Sequence, residues 1–415
     1  MVVDIDVAYL DSKSWEEGPM RERMRWLREH EPVRWSEKDG LWLVSRFADV
    51  VEVSKNQEIY TSAEGVRPGM AVKIGLIDEG EPRHGQLRNL INRGFTPRMV
   101  KQLEVTFRRI VTEAIDSVAN QGECDFVESI SVPLPLRLIA AMIGIPDEDY
   151  DQFHTWSDAM IAAEGRQDDI EVMIRAGQAY AQYAAYVTEI IEDRKKNPRD
   201  DLVSILSGAK DAGLLKMYDE VGREETAPGI SAELHNDELI KLLVILMVAG
   251  NETTRNGISG GMQLLMENPD ARQRLIDDPS LIGIAVEEMV RLTSPVVSFS
   301  RTVTRDTVLR DKSLEAGQRV LMLYPSANRD ENEFEDPERF VIERNPHHVG
   351  FGIGSHFCMG ANLARMEMRV AFEEILRRIP DIEYAEGGPV LQPSALVRTC
   401  AEMKVRFTPE ARNAA

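Results

Sequence analysis

The segment from Asn236 to Asn268 constrains the fold more than any other part of the chain. Asn236 is a favourable N-cap, and Asp237 and Glu238 follow in the first turn, where the helix dipole favours acidic side chains. The middle of the segment is apolar on all sides, and Pro269 predicts its end. A helix that is apolar all round needs protein on every side. The segment therefore predicts a long helix through the centre of the molecule.

Most of the remaining sequence also predicts helices. Residues 98–120 and 172–194 carry apolar side chains at helical spacing with charges between them. Two stretches favour strands: one is centred on Asp39-Gly40, a dipeptide typical of tight hairpin turns, and the other has a turn at Gly317. We predict one mainly α domain with minor β structure over residues 1–415, with β-rich regions at roughly 30–60 and 300–325 and helix elsewhere.

Composition narrows the setting in which the chain works. The 49 Lys and Arg against 70 Asp and Glu give a formal net charge of −21, which argues against nucleic acid as a partner. The longest apolar run, Leu242 to Ala249, is too short to span a membrane, and the N-terminus has no signal-peptide pattern. Three widely separated cysteines fit a reducing compartment. We expect a cytoplasmic protein without a membrane anchor, monomeric by default.

One of the three cysteines lies in a glycine-rich loop, Phe351 to Gly360, with the sequence FGIGSHFCMG. Glycines let a backbone approach a flat cofactor closely, and a metal-bound thiolate needs backbone N–H groups near its sulfur. The following run, ANLARMEMRVAFEEIL, predicts a helix whose positive end points at Cys358 and lowers the pKa of its thiol. A lone cysteine is more often a small buried hydrophobe, so the loop pattern as a whole decides.

That pattern, Phe-Gly-x-Gly-x-His-x-Cys-x-Gly, resembles the signature loop of the cytochrome P450 family. Further resembling stretches are TSAEGVRP at 61–68, GECDFVESISVPLP at 122–135 and AGNETTRNGISGG at 249–261, and the resemblance extends over nearly the whole chain. It is nearest to bacterial members that hydroxylate steroid side chains, branched lipids and terpenoids. It implies the cytochrome P450 fold, with haem b between the central helix and the cysteine-loop helix and with Cys358 as the iron ligand.

The resemblance also implies a structural ion-pair triad behind the cysteine loop. Glu288 and Arg291 are three residues apart, so they share one helix face and can pair. Alone, such a spacing is common in surface salt bridges of little energetic value. In the family the pair is buried and joined by an arginine from a segment that Asp336 to Phe340 resembles. Arg339 is the arginine expected to complete the triad.

Within the central helix, the resemblance places an oxygen-activation motif. Gly250 weakens the helix locally by about 0.5–1 kcal/mol relative to alanine, and such a position often marks a bulge. Thr253 is expected to form a hydrogen bond beside the dioxygen site, and Glu252 is expected to relay protons there. A hydroxyl bonded to its own helix backbone is an equally good explanation of Thr254.

Further residues are expected to contact the haem. His84 and Arg88, four residues apart on one helix face, match the family's donors to a haem propionate, as do Arg301 and His356. The remaining haem-contact residues that the resemblance implies are Phe351, Gly352, Gly360 and Ala249.

The residues expected above the haem are apolar, which suits a lipophilic substrate held by burial. Each of them is about as well explained as ordinary core. The predicted pocket residues are Met70, Ile74, Ile245, Ala249, Val296, Val297, Phe299, Leu396 and Val397. A sterol, a terpenoid or a branched lipid is the expected substrate class, with hydroxylation of a C–H bond by O2 as the reaction.

Electrons are expected to come from a separate ferredoxin and its reductase. The chain has no GxGxxG fingerprint after a strand and no ferredoxin-type cysteine cluster. Arg83, Arg93 and Arg98 are predicted to form a basic docking patch for the acidic partner. Two alternatives remain open: a peroxide-driven haem peroxygenase, which often lacks an acid-threonine pair, and a non-enzymatic haem protein that binds gases.

Overall fold

The computed structural model describes residues 3–67, 73–92, 97–163, 169–199, 201–207 and 236–410, without the side chains of residues 90, 97–100 and 236. The helices are α1 (Glu17–His30), α2 (Phe47–Lys55), α3 (Arg83–Asn92), α4 (Pro97–Val118), α5 (Pro133–Ile143), α6 (Tyr150–Ala162), α7 (Ile170–Lys196), α8 (Leu202–Ser207), α9 (Asn236–Glu267), α10 (Pro269–Asp277), α11 (Ile282–Thr293), α12 (Tyr324–Ala327) and α13 (Ala361–Arg378). The strands are β1 (Val33–Ser36), β2 (Leu41–Val44), β3 (Tyr60–Thr61), β4 (Glu123–Asp125), β5 (Ser298–Val303), β6 (Thr307–Leu309), β7 (Lys312–Leu314), β8 (Arg319–Leu323), β9 (Glu383–Tyr384), β10 (Val390–Gln392), β11 (Thr399–Glu402) and β12 (Lys404–Arg406).

Helix α9 runs through the interior, as its sequence predicts. It packs against α5, α11 and α13, and its side chains Leu243, Met247, Ile258 and Met262 are fully buried. Pro269 opens α10 and separates it from α9. None of the described helices is long and apolar enough to cross a membrane.

Close packing at the C-terminal half of α9 depends on two adjacent glycines. A Cβ at Gly261 would lie 2.5 Å from the ring of Phe372 on α13, and one at Gly260 would lie 2.6 Å from Thr293 on α11. Contacts this short are impossible without movement of the neighbours. These glycines therefore let α11 and α13 press directly against the α9 backbone. We call this contact the glycine seam.

Strands from the two predicted β-rich regions form a five-stranded sheet with the order β1-β2-β8-β5-β3, and β6 and β7 form a separate antiparallel hairpin. Strands β1 and β2 are an antiparallel hairpin whose turn includes Gly40 at φ +63°, as the Asp39-Gly40 dipeptide predicts. Strand β8 then pairs parallel with β2 and antiparallel with β5. The sheet thus joins the N-terminal region to the chain that follows α11.

The prediction of helix everywhere else was wrong in two places. Residues 383–406 contain strands β9 to β12, and β4 follows α4. Strand β12 pairs with both β4 and β9, and β10 pairs with β11. These strands have only two to four residues and are largely exposed, so they carry too little apolar alternation to be recognised from sequence.

Candidate active site

A cavity of approximately 930 Å³ lies between α9 and the cysteine loop. Cys358 lines it on one side, and Ala249 and Thr253 line it on the other. The lining also includes the other residues for which the sequence predicts haem contacts: His84, Arg88, Arg301, Phe351, Gly352, His356 and Gly360. The structure thus brings the predicted haem-contact residues to one cavity.

The cysteine loop is held in shape by its own backbone. The N–H of Cys358 donates to the carbonyl oxygen of Phe351 at 2.8 Å, and α13 begins just beyond the cysteine, at Ala361. Gly354 has φ +81°, and a Cβ there would lie 2.7 Å from the carbonyl oxygen of Ser54. Only glycine fits this close approach to α2. The Cys358 side chain lies deep in the molecule, and its exposed surface faces the cavity.

The expected lowering of the Cys358 pKa was wrong for the polypeptide by itself. Burial raises the pKa of the thiol above its usual range. The backbone N–H of Gly360 and the charges of Arg88 and Arg365 act in the opposite direction but do not outweigh burial. The helix terminus favours the thiolate, as predicted, but the desolvation of the sulfur is the larger effect.

Four basic side chains meet at one edge of the cavity. The rings of His84 and His356 stack with centroids 3.8 Å apart, and Arg88 and Arg301 lie close to both. Burial, which is the largest cause, and the charges of Arg301, His84 and Arg88 together lower the pKa of His356 to about 2. Such mutual repulsion between cations is relieved by an anion.

The cavity therefore fits haem b by its donor chemistry. A thiol faces one wall, the opposite wall is helix backbone with small side chains, and the basic cluster at one edge matches two carboxylates. Oε1 of Glu81 accepts a hydrogen bond from Nδ1 of His84 at 2.9 Å, and the Ser62 hydroxyl lies 3.0 Å from Nε2 of His356. These two contacts orient both rings at the cavity edge.

Glu288 and Arg291 pair as expected, and both are fully buried. The guanidinium donates to both carboxylate oxygens at 2.7 Å, a bidentate contact. Arg291 also donates to the carbonyl oxygens of Asn328 and Pro337, each at 2.7 Å. The network thus ties α11 to the segment that leads into the cysteine loop.

The assignment of Arg339 to this triad was wrong. Its side chain is exposed, and only its carbonyl oxygen reaches the network, 3.4 Å from Arg291. The second arginine that donates to Glu288, besides Arg291, is Arg344, whose Nε lies 3.0 Å from Oε1. A tight turn after Asp336, a residue with φ +45°, leaves the Arg339 side chain on the solvent side.

Around Thr253, α9 is an unbroken α-helix, so the expected bulge at Gly250 is absent from the described backbone. Gly250 instead makes room for Ile139, which would lie 3.0 Å from a Cβ at that position. The Thr253 hydroxyl donates to the carbonyl oxygen of Ala249 at 2.7 Å. Because the hydroxyl proton is used in this bond, the hydroxyl oxygen can only accept a hydrogen bond from a group in the cavity.

Glu252 lines the same cavity but is only 4% exposed. Its carboxylate is 2.5 Å from Arg255 Nη2, accepts from Asn256 Nδ2 at 2.8 Å and accepts from the Thr399 hydroxyl at 3.0 Å. Sequence analysis missed all three partners. The Glu-x-x-Arg spacing of Glu252 and Arg255 was a signal for one of them, because it repeats that of Glu288 and Arg291.

A second buried glutamate was also missed. Glu367 of α13 lines the cavity and is 3% exposed, and one of its carboxyl oxygens has no hydrogen-bond partner among the residues that the structure describes. Burial alone raises the pKa of Glu367 well above its usual range. Burial therefore favours the protonated, neutral form of this carboxyl.

The predicted pocket residues mostly line the cavity, namely Ile74, Ile245, Ala249, Val296, Phe299, Leu396 and Val397. Val297 was wrongly predicted. It packs into the core between α1 and the sheet, because consecutive residues of an extended segment face opposite sides and Val296 takes the cavity side. Met70 lies outside the described residues.

One residue of the predicted basic patch already has a partner within the protein. Arg83 is half-buried and pairs with Glu238 of α9, so its charge is already matched. Arg93 and the side chain of Arg98 lie outside the described part of the chain. Sequence alone could not reveal the pairing of Arg83, because Glu238 is 155 residues away.

Comparison with known proteins agrees with this geometry. The family model described as Cytochrome P450 matches residues 169–279 and 280–387. A protein named steroid C26-monooxygenase from Mycolicibacterium smegmatis is 35% identical over 99% of this chain and 98% of its own. A methyl-branched lipid omega-hydroxylase from Mycobacterium bovis is 38% identical over 84% and 80%. The crystal structure of CYP109E1 from Bacillus megaterium with testosterone has a TM-score of 0.80 and 32% identity, covering 93% of this chain and 99% of that one.

The chain belongs to the cytochrome P450 family and is a monooxygenase. The mainly α fold with minor sheet is confirmed by the solved structures, and the resemblance found in the sequence is confirmed by the relatives. Members of the family hold haem b through a cysteine thiolate and use O2, lipophilic substrates and electrons from a redox partner. Neither the peroxygenase nor the gas-binding alternative is favoured by these relatives.

Proposed function

We propose that this monooxygenase hydroxylates a C–H bond of a steroid, a terpenoid or a branched lipid, in the cytoplasm, with Cys358 as its iron ligand. The observation that carries the proposal is the shared cavity, in which the Cys358 thiol and the Thr253 hydroxyl face each other across one apolar space. Haem held there supplies dioxygen binding and oxidising power at its iron. The relatives named for steroid and branched-lipid oxidation support the substrate class.

The chain's own residues have three tasks in this proposal. Arg88, Arg301 and the two stacked histidines hold the propionates, which relieves the repulsion within the basic cluster. Thr253 offers its lone pairs to a proton donor in the cavity, because its own proton is bonded to Ala249. Glu252 moves protons between solvent and that position.

Two variants test the site directly. Cys358→Ser should abolish the red-shifted band that thiolate-ligated haem gives with carbon monoxide after reduction, while Cys124→Ser keeps it. Cys124 is half-buried in β4 and is not one of the residues that line the cavity, so it is a matched control. A Cys358→Ser protein that binds haem and retains the band would overturn the assignment.

Thr253→Ala tests the proton path. We expect substrate binding to persist and the ratio of product formed to NADH consumed to fall about 10-fold or more, in the range that general acid–base groups contribute. Product yield that stays proportional to NADH in this variant would favour the peroxide-driven alternative.

The substrate class is tested by titrating haem-loaded protein with a steroid, a methyl-branched fatty acid and a terpenoid alcohol. A shift of the haem spectrum at low micromolar concentration is expected for at least one of them. A sugar of similar mass is the control, because the apolar lining residues offer it no compensation for lost water. Equal responses to all four compounds would refute selective binding.

A ferredoxin is the proposed electron donor, and its docking surface is the face around the cysteine loop. Phe357, next to Cys358 in the chain, is 36% exposed there. Charge reversal of Arg93 and Arg98 together should slow reduction by ferredoxin and weaken its dependence on salt, whereas Arg25→Glu on α1, which is 62% exposed, should not. An unchanged rate of reduction in the double variant would show that these arginines do not contribute to ferredoxin docking.

A further inference from the structure

The carboxylate of Glu252 is held partly from its own helix and partly from a distant strand. Arg255 and Asn256 reach it from the next turn of α9. The third contact comes from Thr399 at the start of β11, 147 residues further along the chain. Strand β11 packs against α9, so it lies beside the proposed proton relay.

The Thr399 hydroxyl has two acceptors but only one proton. Its Oγ lies 3.0 Å from Oε1 of Glu252 and 3.3 Å from the carbonyl oxygen of Val397. A hydroxyl donates one hydrogen bond at a time, and both of these groups only accept when the carboxylate is ionised. The proton of Thr399 is therefore shared between Glu252 and Val397, and a small shift of either acceptor changes which one receives it.

Val397 belongs to the wall of the substrate cavity. Leu396 and Val397 line the cavity, and Val397 forms a β-bridge with Val296 on the same wall. The backbone N–H groups of Leu396 and Val397 both donate to the Ser394 hydroxyl, at 3.1 and 3.2 Å. The short segment is thus internally bonded, and its backbone hydrogen bonds to Pro295 and Val297 make it continuous with that wall.

A second contact joins the same strand to the acid. The N–H of Cys400 donates to Oδ1 of Asn256 at 2.8 Å, and the amide nitrogen of Asn256 donates to Glu252. Strand β11 therefore reaches the carboxylate both through a side-chain hydroxyl and through a backbone amide. Displacement of the strand alters both contacts together.

We propose that Thr399 is a positioning residue that links substrate contact at Leu396 and Val397 to the release of Glu252 for proton transfer. Without substrate, the Thr399 hydroxyl helps to hold the carboxylate against Arg255. A substrate that presses on the cavity wall brings the Val397 carbonyl closer to the hydroxyl, and Glu252 loses one donor. The carboxylate already lines the cavity, so a side-chain rotation turns it towards Thr253. This inference rests on the proposed relay role of Glu252.

The test compares Thr399→Val with Thr399→Ser in the haem-loaded enzyme. Valine keeps the shape of threonine and removes the hydroxyl, whereas serine keeps the hydroxyl and loses the methyl group. We expect the valine variant to consume oxygen about tenfold faster without substrate, as the loss of one hydrogen bond to a charged group implies. The kinetic solvent isotope effect on product formation should change in the same variant. Serine should restore both, and equal defects in the two variants would overturn the proposal.

A readout independent of turnover is the hydrogen exchange of residues 399–402. In the wild-type holoenzyme, substrate should change the exchange rate of these β11 amides, and in Thr399→Val the difference should become smaller, because only the contact through Asn256 remains. Substrate affinity, followed by the haem spectrum, should stay within about twofold of wild type, because the hydroxyl bonds Glu252 and Val397 and not the substrate. A substrate effect on exchange that is undiminished in the valine variant would refute the link.

Glu252→Gln separates the two proposals. Wild-type coupling of NADH to product in Glu252→Gln would refute the relay itself. If Glu252→Gln is uncoupled and Thr399→Val matches wild type in oxygen consumption and exchange, the relay stands and the link through Thr399 is wrong.

Discussion

Two Glu-x-x-Arg pairs with the same helical spacing have opposite surroundings in this protein. In α11, Glu288 receives donors from Arg291, Arg344 and the backbone of Val341. In α9, Glu252 has one arginine, one side-chain amide and a share of one hydroxyl proton. The first carboxylate is bound by bidentate contacts and is not one of the cavity-lining residues, whereas the second lines the cavity.

The difference shows what distinguishes a structural ion pair from a movable one. A carboxylate that accepts bonds at both oxygens from several chain segments cannot rotate without breaking all of them. One that is held by single contacts from flexible side chains loses little when it turns. Glu367 extends the comparison as a third buried glutamate, whose pKa burial alone raises.

The largest effect is expected from Arg291→Met. Removing one partner of a fully buried pair leaves Glu288 without its bidentate donor, at a cost of about 3–5 kcal/mol. Natural domains have only about 5–15 kcal/mol of stability, so we expect poor yield and little haem incorporation. Urea unfolding of purified protein measures the change. A midpoint equal to that of the parent would contradict the structural role.

A smaller effect is expected from Arg344→Met, with Arg339→Met as the matched control. Loss of the Arg344 contact should lower the free energy of unfolding by about 1.5–3 kcal/mol, the value of a hydrogen bond to a charged group. The exposed Arg339 side chain should change it by no more than about 0.5 kcal/mol. If urea unfolding showed a larger loss of stability for Arg339→Met than for Arg344→Met, Arg339 would be the third residue of the triad.

Glu367→Gln should stabilise the protein, increasingly so at higher pH. The folded-state pKa of Glu367 lies above the unfolded-state value, so the unfolded chain binds fewer protons between the two values. Stability is therefore full below the usual glutamate pKa and declines as the pH rises towards the folded-state pKa, by about 1.4 kcal/mol per pH unit. Glutamine removes this dependence. Unfolding curves from pH 5 to pH 8 that run parallel for the two proteins would show that Glu367 is charged.

The smallest effect on stability is expected from Glu252→Gln. Asn256 and Thr399 can still donate to the amide oxygen, so the free energy of unfolding should change by less than about 1 kcal/mol. Glu288→Gln, measured alongside, should cost several times more. Equal losses in the two variants would erase the distinction between the pairs.

The features predicted best from the sequence are those that depend on residues close together in the chain. Helix α9, the hairpin at Gly40 and the pairing of Glu288 with Arg291 all follow from local spacing. Prediction from the sequence fails for features that depend on the three-dimensional path of the chain. The motif predicted Arg339 as the third residue of the triad. The turn at Asp336 instead directs the Arg339 side chain to solvent, and Arg344 donates to Glu288.

Long-range contacts were the other failure. The contact between Thr399 and Glu252 joins parts of the chain 147 residues apart, and the short strand that delivers it has almost no sequence signal. Likewise, Val296 and Val297 are identical in type, and only the direction of the backbone assigns one to the cavity and the other to the core.

The glycine seam determines where such a chain tolerates variation. Any side chain at Gly261 or Gly260 meets Phe372 or Thr293 at once, so we expect substitutions there to destabilise the protein whatever the enzyme oxidises. Positions such as Leu396 border open space, and new side chains there meet no barrier of this kind. Over generations, or in a laboratory library, changes should accumulate in the cavity wall. The helices that meet at the glycine seam should stay the same, while the range of substrates that the enzyme oxidises changes.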